Sequence, residues 1–114
     1  MANTFKRATK SSLLTTDVTT DAATAVLTVG SSATQVILGM VCANKTSLST
    51  TVDVYLKAGT GDSVFLIKNA PVPAGSTFEY ISANKLVLAS NDVIRARAND
   101  SSAVDVVISY LEQT

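Results

Sequence analysis

Apolar residues in this chain recur at every second position in short runs, and nearly every run stops at a cluster of Gly, Asn, Asp, Pro or Ser. Period-two alternation over four to eight residues places alternate side chains on opposite faces of a strand, and no stretch sustains the 3.6-residue period of a helix. The runs are Leu13–Val18, Ala25–Val29, Thr34–Ala43, Thr51–Lys57, Ser63–Lys68, Thr77–Ile81, Lys85–Ala89, Val93–Ala98 and Ala103–Leu111. Between them lie Gly30-Ser31-Ser32, Asn44-Lys45-Thr46, Gly59-Thr60-Gly61-Asp62, Pro71-Val72-Pro73-Ala74-Gly75, Asn91-Asp92 and Asn99-Asp100-Ser101-Ser102. Each carries residues that tolerate tight turns or positive φ. The pattern predicts an all-β fold: a single antiparallel β-sandwich of about eight short strands, jelly-roll or immunoglobulin-like. Spacing alone does not choose between the two strand orders.

The chain has 114 residues, which suits one domain with its own core. Charged residues are only 16%, and Ser and Thr take their place in SSLLTTDVTT and NKTSLSTT, which favours a pleated surface over a helical one. Nine basic and nine acidic residues cancel. A neutral balance supplies no field for nucleic acid and leaves association between copies unopposed. The longest apolar run, Val36 to Ala43, is strand-sized, so no membrane span is expected. The polar, basic opening lacks an apolar signal core, and the expectation is synthesis in the cytoplasm without export by the usual route.

Residues 1–11 carry Lys6, Arg7 and Lys10 without useful periodicity and read as an N-terminal arm on a sandwich domain of residues 12–114. Four runs define faces. Val52, Val54 and Leu56 alternate with Asp53, Tyr55 and Lys57, which predicts one wet face. In Val93–Ala98, Arg95 and Arg97 predict a wet, basic face. Thr34–Ala43 is apolar on both faces, with Val36, Leu38, Met40 and Cys42 on one and Ile37, Gly39, Val41 and Ala43 on the other. Ala103–Leu111 sets Val104, Val106, Ile108 and Tyr110 on one face and Val107 and Leu111 on the other. Two such strands exceed what one small core needs. Their second faces are expected to meet another protein surface, or to be covered by the loops and arm. The candidate interface residues are Phe5, Lys6, Arg7, Lys10, Ile37, Val41, Val107 and Leu111.

Catalytic groups are scarce. The chain contains no histidine, which removes the usual general base and metal ligand. Cys42, the single cysteine, sits in an apolar run and reads as a core thiol. The carboxylates are spread singly, without calcium-loop spacing. Gly59-Thr60-Gly61 leads into a strand rather than a helix, so it reads as a hairpin turn and not a phosphate loop. No catalytic, cofactor or metal site is expected. Aromatic residues are 5% with no Trp, too few for a stacking platform, and Tyr55, Tyr80 and Tyr110 read as strand residues with hydroxyls at solvent or an interface.

The layout resembles small virion structural proteins of tailed bacteriophages, especially those of marine and cyanobacterial phages. The similar features are the opening Met-Ala-Asn-Thr-Phe-Lys-Arg-Ala, the run Thr34 to Thr46, Val52-Asp53-Val54-Tyr55-Leu56, and Leu66-Ile67-Lys68-Asn69-Ala70-Pro71-Val72-Pro73-Ala74-Gly75. They continue through Lys85-Leu86-Val87-Leu88 and Asn91-Asp92-Val93-Ile94 to the ending Val104 to Glu112. Asn91-Asp92 stands where such proteins often carry Gly-Asp, and either pair forms the turn. The resemblance implies a non-enzymatic virion part present in many copies: head decoration, neck or collar, or tail accessory. Its partners would be itself and capsid, neck or tail proteins. The alternative is a host-surface or glycan-binding module on a fibre, with recognition by loops Lys57–Asp62, Asn69–Ser76 and Asn99–Ser102.

Overall fold

A computed structural model describes residues 2–80 and 86–114. Among the described residues nine strands run in chain order: β1 (Asn3–Lys10), β2 (Ala25–Thr28), β3 (Thr34–Asn44), β4 (Thr50–Lys57), β5 (Val64–Val72), β6 (Thr77–Tyr80), β7 (Leu86–Leu88), β8 (Val93–Ala98) and β9 (Val104–Gln113). They form two antiparallel sheets, sheet I in the order β1-β9-β3-β6 with β7 also on β3, and sheet II in the order β2-β8-β4-β5. The fold is an all-β sandwich.

The strand order identifies which sandwich. β6 and β7 pair with successive stretches of the same strand, Met40–Ala43 and Gln35–Ile37 of β3, so both occupy the same edge of β3. The chain then behaves as a long hairpin whose arms pair β1 with β9, β2 with β8, β3 with β6/β7, and β4 with β5. Rolled up, this hairpin gives two sheets, each four strand positions wide, linked by crossings between them, which is the jelly roll. Its hairpin tip is the glycine-bearing loop from Lys57 to Val64, as the turn chemistry predicts.

The core lies between the sheets. Val104, Val106, Ile108 and Tyr110 of β9 lie beside Ile37, Met40 and Cys42 of β3 on the inner face of sheet I, and Val52, Val54, Ile94, Ala96 and Ala98 close the core from sheet II. Tyr110 therefore points into the core rather than to solvent, while Tyr55 packs edge-on against Phe65 with ring centroids 5.0 Å apart. Of the expected strand limits, Ile81 and Lys85 fall outside the described residues, as does the Tyr80 side chain.

Two expectations change. Leu13–Val18 is not a strand. Asp17 folds it into a turn, its carboxylate accepting the Thr19 amide at 2.9 Å and its carbonyl the Thr20 amide at 3.1 Å. Leu13 and Val18 nevertheless bury completely, which is why the run looked core-like. The wet faces of β4 and β8 are also largely covered. Arg95 donates to the Val18 carbonyl at 3.3 Å and to Asp21 at 2.8 Å, and Arg97 donates to the Thr15 carbonyl at 2.9 Å. Charge on this face serves to pin the β1–β2 connection across sheet II.

Candidate interface on sheet I

The segment read as an arm is a strand. β1 pairs with β9 over eight residue pairs, from Asn3–Gln113 to Lys10–Val106. Backbone hydrogen bonds between Ala2 and Thr114, at 3.1 and 3.0 Å, extend the ladder past its end. The run showed no periodicity because β1 contributes almost nothing to the core: Ala8 is half-buried and the other seven residues are exposed. Backbone pairing, which any sequence can supply, holds it. β1 is the outermost strand of sheet I, with its far edge unpaired among the described residues.

The register divides the candidate residues between two faces. Lys6 lies opposite Tyr110 and Lys10 opposite Val106, so both stand on the core side of the sheet, beyond the covered region. The Lys6 ammonium donates to Glu112, which also accepts the Gln35 amide at 2.9 Å. These contacts hold the Glu112 carboxyl below its ordinary range, through the Lys6 hydrogen bond first, and raise Lys6 in turn. Phe5 and Arg7 stand on the outer face, opposite Leu111 and Ser109.

Ile37 does not join that face. It is buried, 4% exposed, and Val36 takes the outer position instead. The cause is a β-bulge: Ile37 pairs with Tyr110 and Gly39 with Ser109, leaving Leu38 as an extra residue. One inserted residue reverses the alternation, so Ile37, Met40 and Cys42 all point inward although their numbers differ in parity. Strict period-two counting has no means of seeing this.

With the register corrected, an apolar row crosses sheet I. Phe5 of β1 lies beside Leu111 of β9, Leu111 beside Val36 of β3, and Val36 beside Val87 of β7. Phe5 is 77% exposed and Val87 61%. Four residues along β1, Thr9, Val107, Val41 and Glu79 form a parallel row. Val41 and Val107 thus join the outer face as expected, and Leu111 joins through the first row. Val36, Val87 and Glu79 are the members that sequence reasoning missed. An outward sheet face with a row of this kind is unlike the polar outer face of a solitary sandwich.

Other groups are committed to structure. Asp53, predicted wet, is 2% exposed. It accepts the Asn69 amide at 2.7 Å and an Arg97 guanidinium nitrogen at 3.3 Å, with Lys68 at 3.7 Å. Burial pushes the Cys42 thiol up to about 11, far from a thiolate at neutral pH. Among the described residues no three His, Cys, Asp or Glu side chains gather as metal ligands. No helix among them is long and apolar enough to cross a membrane.

The three loops proposed for recognition do not converge. Asn99 donates its amide to Thr51 at the start of β4, whereas Gly59 follows the end of β4, so these loops occupy opposite ends of the sandwich. Much of Asn69–Ser76 is strand, since β5 runs to Val72. No protein-family model, curated protein or solved structure matches the chain.

Proposed function

We propose that this chain is a non-enzymatic structural component of a tailed-phage virion, present in many copies and held by protein–protein contacts through the outer face of sheet I and the β1 edge. The observation that carries the reading is the row Phe5–Leu111–Val36–Val87, apolar side chains on a sheet face with no covering layer among the described residues. Exposed contiguous apolar surface of this kind marks an interaction site. The zero net charge supports it, because copies approach without mutual repulsion. A long, uncovered edge strand adds a second route, since its free backbone groups template pairing with another chain. The placement in a virion rests on the resemblance to small phage structural proteins. Its neighbours there would be itself and capsid, neck or tail proteins.

Two measurements test this. Light scattering on the purified chain is expected to show association that grows with concentration. Added to particles lacking it, the chain is expected to bind in fixed stoichiometry. A strict monomer that also ignores such particles would remove the proposal.

A further inference from the structure

We propose that two copies pack outer face to outer face through sheet I, about a two-fold axis parallel to the strands and midway between β9 and β3. This deepens the structural reading above and rests on it.

Such an axis lays β9 of one copy over β3 of the other, and β1 over β6 and β7. The first row then maps onto itself reversed: Phe5 meets Val87 of the second copy, and Leu111 meets Val36. Both contacts are apolar on apolar, and each occurs twice. In the parallel row Val107 meets Val41. A face has to be self-complementary to serve an isologous dimer, and these rows are.

Charge selects among the axes. Arg7 stands on the outer face at the β1 side and Glu79 at the β6 side. The proposed axis brings each Arg7 to the side of the partner's Glu79. Their rows differ by two residues, about 7 Å along a strand, a gap an arginine side chain can cross. A two-fold axis perpendicular to the strands would stack β1 on β1 and β6 on β6, keeping each Arg7 on the opposite side of the face from the partner's Glu79. Edge-to-edge pairing of two β1 strands is worse. It gathers Lys6, Arg7 and Lys10 from both copies on strands that carry no carboxylate.

The area sets the strength. Four strands about 4.8 Å apart and about 25 Å long give a patch of about 500 Å² per copy, below the ~800 Å² per partner of a standard interface. The isolated dimer is therefore weak. On a particle, where other contacts hold copies close, the same face gains from effective concentration.

The test is sedimentation velocity from about 10 μM to about 1 mM, a range that brackets a weak dimer. Val87→Lys and Phe5→Ser, both at exposed positions, are expected to weaken dimerisation at least about tenfold while thermal melts stay near wild type. Arg7→Glu and Glu79→Arg are each expected to weaken it several-fold, and the double variant to recover to within about twofold of wild type. Failure of the double variant to recover overturns the two-fold arrangement. Wild-type association that ignores Val87→Lys and Phe5→Ser overturns the face itself and leaves the structural reading standing. A wild type that stays monomeric throughout overturns the dimer, and binding to particles then decides the broader reading separately.

Discussion

At the scale of single residues, the polar groups in this protein act as fasteners. Asp53 is the clearest case, a buried carboxylate that collects a backbone amide and an arginine where period-two reasoning expected solvent. Asn69, whose amide it accepts, holds a positive φ of 53° in a strand with a shifted register, so the carboxylate stabilises an irregular stretch of β5. Asp53→Ala leaves that amide without its acceptor and Arg97 without its anion. It is expected to cost about 2–3 kcal/mol, read as a lower urea midpoint at unchanged slope. Asp62→Ala, on the exposed hairpin tip, is expected to stay within about 0.5 kcal/mol. Equal midpoints for the two variants would show that water replaces the carboxylate at no cost. None of this was legible in the sequence, because the residues that cover Asp53 come from the β1–β2 connection and from β5. Alternation reports which way a side chain points, not what lies over it.

At the scale of elements, β1 and β3 show opposite ways of being a strand. β1 is held by backbone pairing and by the Lys6–Glu112 ion pair at its inner side. Glu112 titrates below its ordinary 4.5, so what the pair contributes is present above that pH and is lost as pH falls through the folded value. Lys6 is raised above its ordinary 10.5, so the same contribution is present below that pH and is lost as pH rises through its folded value. Amide exchange in β1 is therefore expected to be faster in Glu112→Gln than in wild type at neutral pH. The two should converge well below pH 4.5, once the wild-type carboxyl is protonated. A difference that persists unchanged in acid would assign the protection to the backbone ladder alone.

β3 is held by burial, and its bulge decides which residues are buried. Removing Leu38 leaves Ile37 opposite Tyr110 and Gly39 opposite Ser109, so every core side chain keeps its direction. Removing Val41 instead reverses Cys42 and everything after it in the strand. The Leu38 deletion is expected to fold with a sharp urea transition, and the Val41 deletion to lose its cooperative core. Similar behaviour of the two would mean that the register slides freely. The positions of most strands were legible from alternation and turn residues, with ends moving by a residue or a few. The bulge was not, because an inserted residue in an all-apolar run leaves no mark on composition. β1 was missed for the converse reason: pairing without burial has no hydrophobic signature.

At the scale of the whole molecule, the two chain ends are neighbours, joined by backbone hydrogen bonds between Ala2 and Thr114. That follows from the rolled hairpin, in which the first and last strands pair side by side. Spacing could not reveal it, since every pairing among the described strands except β4–β5 joins segments far apart in the chain. The jelly roll is therefore a property of the assembled hairpin, although the sandwich class was readable from local pattern. The same geometry separates two modes of self-association. If copies joined by exchanging β1 strands, β1 would have to leave its own β9. A circular permutant with Thr114 linked to Met1 by a short flexible linker, and new ends between Thr60 and Gly61 at the exposed hairpin tip, ties β1 to β9 covalently. Packing through the outer face of sheet I needs no such departure, because Phe5, Leu111, Val36 and Val87 stay where they are. The permutant is expected to fold and to dimerise with the affinity of the parent chain in sedimentation. A folded permutant that no longer associates would transfer the contact from the face to a released β1.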